Sequence, residues 1–235
     1  MKWSHCSVAL PLPTCRPLAG RGEVAPRVNS LKRALGISMI CARILFALLL
    51  VTAVIFGTFH RQVAAQNSTR ADSMTAFERV VAVFRHPRCS NCHTVTDFPR
   101  QGDDRHRHIL NVRRGPDGHG VAAQRCRTCH QRANQTASGV PGADEDWHLA
   151  PLSMGWEGLS NAELCRHLLD PARNGGRSGA AILEHLGTNL VRWAWSPGVT
   201  RTGAARTLPP IDYDAFVRDA RRWIELGAAC PPSGN

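Results

Sequence analysis

The chain has 235 residues, of which 43% are hydrophobic and 20% are charged, and its formal net charge is +11. This composition excludes collagen-like, coiled-coil and wholly disordered chains, and the length allows one or two domains. The first 65 residues hold eight Lys and Arg against one acid, whereas residues 66–235 hold 21 arginines, no lysine and 17 acids. Because these arginines are interleaved with acids, we expect no nucleic-acid-binding surface.

An uncharged apolar segment, residues 44–59, follows Arg43 and precedes the tripeptide Val63-Ala-Ala65. A positive residue, a short apolar run and small residues at the −3 and −1 positions are typical of a secretory signal peptide. The run is also shorter than the roughly 20 residues of a comfortable membrane span. We therefore predict export to the periplasm with cleavage after Ala65. An uncleaved membrane anchor is the alternative, and it is the only membrane contact that we expect.

The first helix of the exported part is predicted from Ser73 to Arg85, because apolar residues recur there at helical spacing and Pro87 stops it. The two stretches that follow, residues 94–125 and 131–157, are rich in Gly, Arg and His and show little periodicity. We expect loops that wrap around cofactors there.

Two pentapeptides in this region, Cys89-Ser-Asn-Cys92-His93 and Cys126-Arg-Thr-Cys129-His130, match the C-x-x-C-H signature of c-type haem attachment. One helical turn puts both cysteines on one face, where two thioethers can hold the haem vinyl groups. The adjacent histidine then reaches the iron as proximal ligand. The sequence predicts two covalent c-type haems, bound through Cys89, Cys92, Cys126 and Cys129, with His93 and His130 as proximal ligands.

Two other uses of these cysteines are less favoured. A Cys₄ zinc ribbon usually separates its pairs by about 15–20 residues, but 33 residues separate Cys92 from Cys126 here and both histidines would be unexplained. A thioredoxin-like dithiol needs a βαβ context, which is not visible around either motif.

The second axial position of each iron has several candidate ligands. We predict His108 and His148, with His119 and Met154 in reserve; two histidines give a lower potential than a methionine ligand does. An iron without a distal ligand would instead favour peroxide chemistry, so a dihaem peroxidase is the alternative function. Two further histidines lie on predicted helices and are expected to be structural or surface residues: His167 and His185.

The part after residue 158 is predicted to be helical. Ser160 and Glu163 form a capping box, a second helix runs from Ser178 to Leu186, and Asp212 caps a third that stops at Gly227. Three tryptophans there could pack on a haem, but we favour the apolar core for them: Trp193, Trp195 and Trp223. After the haem cysteines, Cys165 and Cys230 remain as an even pair in an oxidising compartment, which predicts a disulfide.

Several strings of the chain resemble small exported dihaem cytochromes that are often described as subunits of isoquinoline 1-oxidoreductase-like enzymes. They are His86-Pro-Arg-Cys-Ser-Asn-Cys-His93, Arg114-Gly-Pro-Asp-Gly-His-Gly120, Cys126-Arg-Thr-Cys-His130, Trp147-His-Leu-Ala-Pro151 and Asp170-Pro-Ala-Arg-Asn-Gly-Gly-Arg177. The similarity covers about residues 74–231. It implies an electron acceptor that works beside a molybdenum-containing hydroxylase, although no molybdopterin motif is visible in the chain itself.

We therefore expect a mostly α protein in three parts. Residues 1–65 are an extension and signal peptide, with Met39 as the candidate true start because residues 1–38 are unusually long and Pro-rich for a signal peptide's basic region. Residues 66–157 bind two haems, and residues 158–235 form a small helical region packed on them. The expected function is electron transfer from a partner oxidoreductase to the respiratory chain, without catalysis of its own.

Overall fold

The computed structural model describes residues 28–142 and 148–233, and the side chains from Arg43 onward. The start of the chain before Val28, on which the choice between Met1 and Met39 depends, lies outside the described residues, as does Trp147. The chain divides into two compact units, Met1–Phe59 and His60–Asn235.

The fold is mostly α, as predicted from the sequence. Six helices account for nearly all of the regular structure in the described residues, and the strands are only two residues long. The helices are α1 Val28–Arg85, α2 Pro87–Ser90, α3 Asn161–Leu169, α4 Gly179–Leu186, α5 Asn189–Arg192 and α6 Tyr213–Glu225.

Helix α1 is far longer than the predicted Ser73–Arg85, because it begins at Val28. No proline stands between Pro26 and Pro87, so nothing in the sequence breaks the helix before Arg85. Within the described residues, the segment Arg43–Arg85 is long and apolar enough to cross a membrane. A signal sequence has the same length and composition as a membrane anchor by this measure.

The hydrophobic core of the second unit forms where the end of α1 packs on α3 and α6. Phe77 and Val80 of α1 are fully buried, and so is Leu164 of α3. Phe77 lies 5.0 Å from Trp223 of α6, centroid to centroid, which is the usual spacing of a packed aromatic pair. Trp223 is therefore a core residue, as predicted.

The caps of the C-terminal helices match the expected sequence signals. The Ser160 side chain accepts a bond from the Glu163 amide, and Glu163 reaches back to the Ser160 amide, so the capping box is present. The side chains of Ser178 and Asp212 cap α4 and α6, because each accepts a bond from the backbone amide three residues later. Helix α5 was not predicted, because four residues are too few to show a helical period.

Cys165 of α3 and Cys230, after α6, are joined in a disulfide with their Cα atoms 5.5 Å apart. This is the pairing predicted from the sequence. Cys165 lies in the centre of the core and is completely buried.

The segments between α2 and α3 contain little regular structure. Strand β1 (Arg100–Gln101) pairs antiparallel with β2 (His106–Arg107), and β3 (Gly120–Val121) pairs antiparallel with β4 (Gln124–Arg125). Single 3₁₀ turns cover Ile109–Asn111, Cys126–Thr128 and Leu152–Met154.

Charged side chains that are buried or half-buried hold these segments in place. The Glu157 carboxylate accepts bonds from the Arg100 guanidinium at 2.8 Å and from the Thr94 hydroxyl at 3.2 Å, and it also pairs with Arg105. Arg114 is 7% exposed and donates to the backbone carbonyl groups of Thr94 and Ala150. Because charge-assisted hydrogen bonds are stronger than neutral ones, they order a region that has few apolar side chains of its own.

Candidate functional site

The first cysteine motif lies on α2 and the turn that follows it. His86 caps this helix, with its Nδ1 accepting a bond from the Arg88 amide at 3.3 Å. The amide of His93 then bonds to the carbonyl of Cys89 at 3.1 Å. This helical turn brings Cys89 and Cys92 to one side of the backbone, as the spacing predicts.

His93 is held on two sides. Its ring stacks on Trp156 with centroids 3.5 Å apart and planes 5° from parallel. Its Nδ1 donates to the Met154 carbonyl at 3.0 Å. Burial lowers the pKa of His93 to about 3, so the ring is neutral and Nε2 keeps its lone pair. Metal-binding histidines commonly bond a carbonyl in this way, which fixes the ring and its tautomer.

The second motif repeats this arrangement on a 3₁₀ turn. The amide of His130 bonds to the carbonyl of Cys126 at 2.9 Å, and Nδ1 of His130 donates to the carbonyl of Pro141 at 2.8 Å. Burial lowers the pKa of His130 as well. In both motifs the histidine uses Nδ1 to bond a backbone carbonyl, so Nε2 is the nitrogen that would coordinate a metal.

The four motif cysteines are free thiols. Burial raises the pKa of Cys89 to about 12 and that of Cys92 to about 11. A redox-active dithiol needs the opposite, a lowered pKa that gives a thiolate near neutral pH. The environment of the first pair therefore speaks against thioredoxin-like chemistry.

Two cavities adjoin the motifs, and both have the size of ligand-binding sites. The first has a volume of about 1040 Å³ and is lined by His93, Met154, Arg177 and His185. It continues into an apolar recess of about 100 Å³ beside Cys89. The second cavity has a volume of about 440 Å³, and its wall includes Cys126, Cys129, His130 and His108.

The two cavities share parts of their walls. Cys92 and Arg114 line both of them, and the proximity of Cys126 contributes to the raised pKa of Cys92. Groups bound at the two motifs would therefore lie next to each other.

The predicted distal ligand His108 lies opposite His130. Their ring centroids are 6.2 Å apart, and Nδ1 of His108 donates to the carbonyl of Ile109 at 2.8 Å. When two imidazoles coordinate one metal ion from opposite sides, each through a nitrogen about 2 Å from the ion, their ring centres are roughly 6 Å apart. The pair thus has the spacing of two axial ligands on one iron.

The other three distal candidates lie near the first cavity. His148 lines this cavity but is exposed, and its ring centroid is 5.4 Å from that of His119. His119 does not line the cavity; its Nδ1 lies 3.5 Å from the Asp117 carboxylate. Met154 lines the wall of this cavity. Its backbone carbonyl accepts the bond from Nδ1 of His93, so the Met154 backbone lies on the Nδ1 side of that ring.

Sequence reasoning favoured other roles for two residues of these walls. His185 was assigned to the structural or surface histidines, but it lines both parts of the first cavity. It follows Ile182 by three residues, so its place on the apolar face of α4 could have been read from the helical period. Trp193 was assigned to the core; it is buried, but it lines the apolar recess and the second cavity.

Buried arginines between the cavities fit the acidic groups of a haem. The Arg88 side chain is 0% exposed, lines the apolar recess and the second cavity, and pairs with Asp103. Its Nη1 has no hydrogen-bond partner among the described residues. Burial and the neighbouring Arg206 lower the pKa of Arg88 to about 10. A carboxylate of a bound group, such as a haem propionate, would satisfy this donor.

Within the described residues, no group of three or more His, Cys, Asp and Glu side chains is arranged to hold a metal ion. A haem iron needs only two axial protein ligands, so the candidate sites require no such group. No family model, curated protein or solved structure matches this chain.

Proposed function

We propose that this protein is an exported dihaem c-type cytochrome that transfers electrons. The observation that carries the proposal is the pair His130 and His108: two rings 6.2 Å apart, each with Nδ1 bonded to a backbone carbonyl. His130 directly follows the pair Cys126 and Cys129. Two thiols, the histidine next to them and a second imidazole suit a c-type haem with two histidine ligands.

Each motif would hold one haem through its own residues. Cys89 and Cys92 would form the thioethers of the first haem, with His93 as axial ligand; the second haem has the same set in the second motif. When bound, each haem supplies a one-electron couple whose potential depends on its ligands and burial. The protein fixes the imidazoles, keeps water from the buried faces and neutralises acidic groups with arginine.

The shared walls of the two cavities support transfer between the haems. Cys92 and Arg114 border both cavities, so an electron that enters at one site has a short path to the other. The donor that we propose is a partner oxidoreductase of the molybdenum hydroxylase type, on the resemblance noted above, and the acceptor belongs to the respiratory chain. Both partners would be met in the periplasm.

The decisive experiment is the intact mass of the protein produced in an export host that has haem-attachment machinery. We expect the mass of residues 66–235 plus two haems. The double variant C89S/C92S should carry one haem, and so should C126S/C129S. A wild-type mass without haem, or with bound zinc, would contradict the proposal and leave a zinc-stapled module instead.

Peroxidase activity is tested on the same sample. An electron carrier with two filled axial positions should neither bind cyanide rapidly nor consume peroxide, because its irons offer no open coordination site. Rapid reaction of one haem with both reagents would favour the dihaem peroxidase.

A further inference from the structure

We propose that His185 is the second axial ligand of the iron at His93, so that α4 of the C-terminal region completes the first haem site. This inference rests on the proposed dihaem function and replaces the predicted ligand His148. It follows from the walls of the first cavity, where His185 and His93 both border the main volume and the apolar recess beside Cys89.

The two histidines reach this cavity from separate elements of the chain. His93 is fixed between Trp156 and the Met154 carbonyl, and His185 projects from α4 on the same face as Ile182, which also lines the recess. Among the described residues, the hydrogen bonds of His185 involve its backbone, whose carbonyl accepts from Gly187 and Thr188, and none involves its ring. The imidazole is thus available to a ligand in the cavity.

Helix α4 gives His185 a fixed position. Ser178 caps its first turn, Ile182 and Leu186 are buried, and the Tyr213 hydroxyl donates to the Leu186 carbonyl at 2.9 Å. A ligand carried by a packed helix is held more accurately than one carried by a loop.

The competing ligands are less well placed. Met154 borders both parts of the cavity as well, but its carbonyl is bonded to Nδ1 of His93 and its sulfur lies 3.9 Å from Nη1 of Arg177. His148 is exposed and borders only the main volume. His185 is half-buried and reaches the recess at the cysteines, where the haem would be attached.

The consequence is that both irons would have two histidine ligands, His93 with His185 and His130 with His108. Such haems are six-coordinate and of low potential. They pass electrons without binding a substrate at the metal, so the assignment also decides against the peroxidase.

The test uses H185A in the processed dihaem protein, with H148A as the matched variant from the same cavity. We expect H185A to keep the mass of two haems, because His185 forms no thioether. One of its two haems should become high-spin and bind carbon monoxide when reduced, and added imidazole should restore the low-spin spectrum. The spectrum of H148A should equal that of the wild type.

A second variant, H185M, distinguishes the loss of an iron ligand from a loss of folding. A methionine at this position can still coordinate iron, so both haems should stay six-coordinate and one reduction potential should rise. The inference is overturned if H185A has the wild-type spectrum, if H148A shows the change instead, or if H185M leaves both potentials unchanged. Failure of the proposed function itself would be seen separately, as a wild-type protein without haem.

Discussion

Three of the four side chains that would bind iron donate a hydrogen bond to a backbone carbonyl. His93, His108 and His130 all donate Nδ1–H to a carbonyl oxygen at 2.8–3.0 Å. In a neutral imidazole this bond fixes which nitrogen carries the proton and leaves the other as a base. At the scale of the residue, the site thus depends on the loops that supply these carbonyls, more than on any contact between the histidines.

The role of His108 can be tested by H108A in the dihaem protein. We expect two attached haems, of which one becomes high-spin and binds carbon monoxide on reduction, because its iron has lost the ligand opposite His130. The visible spectrum of the reduced protein with and without carbon monoxide measures this change.

H106A is the matched control, since His106 lies two residues away and its Nδ1 bonds the exposed Asp104 at 2.6 Å. Its spectrum should equal that of the wild type. Equal spectra for H108A and H106A would remove His108 from the ligand set.

The helices of the C-terminal region form a frame that is held together by a disulfide and by a hydrogen bond to α1. The disulfide joins α3 to the segment after α6 across 65 positions of sequence, and Ser73 of α1 accepts a bond from the Ala229 amide in the same place. This frame carries His185 on α4, so its stability bears directly on the first haem site.

Replacement of both disulfide cysteines, C165A/C230A, should lower the free energy of unfolding by about 2–4 kcal/mol, since the unfolded chain regains the entropy of a long loop. Urea unfolding followed by circular dichroism measures the difference. A reducing agent should bring the wild type to the same value and leave the variant unchanged. A variant as stable as the oxidised wild type would show that the disulfide contributes nothing.

At the scale of the whole molecule, burial along α1 begins abruptly at Ser73. Every described side chain from Arg43 to Asp72 is exposed, whereas Ser73, Ala76 and Phe77 are buried. The apolar residues before Ala65 therefore add nothing to the described core. Removal of residues 1–65 would leave the second unit's buried residues in place.

Processing can be followed by N-terminal sequencing of the exported protein, which we expect to begin at Gln66 and to be soluble. The free energy of unfolding of the 66–235 chain, exported by a foreign signal peptide, should equal that of the processed protein. A65F, which puts a bulky residue at the −1 position, should block cleavage and keep the chain at the membrane. A wild-type protein that stays membrane-bound with its leader attached would establish the anchor instead.

Local patterns in the sequence predicted much of this structure. The caps at Ser160, Ser178 and Asp212 are short-range signals, because a side chain there bonds an amide only three residues away. The cysteine motifs are equally local, since one turn of helix is enough to align the thiols. The Cys165–Cys230 pair was found by elimination, as the even remainder after the haem motifs were counted.

The tertiary structure decided which distant residues face each other. His185 stands 92 positions after His93 in the chain. Both residues line the same cavity, and α4, which carries His185, is held there by packing against α6. Trp156 and the carbonyl group of Met154 are also remote in sequence from the His93 ring that they hold, whereas Pro141 lies 11 residues after His130. The sequence by itself thus determined the two C-x-x-C-H motifs, the caps and the helices α3, α4 and α6. The partners of each ring follow from the packing of helices and loops, because long-range contacts leave no short-range pattern.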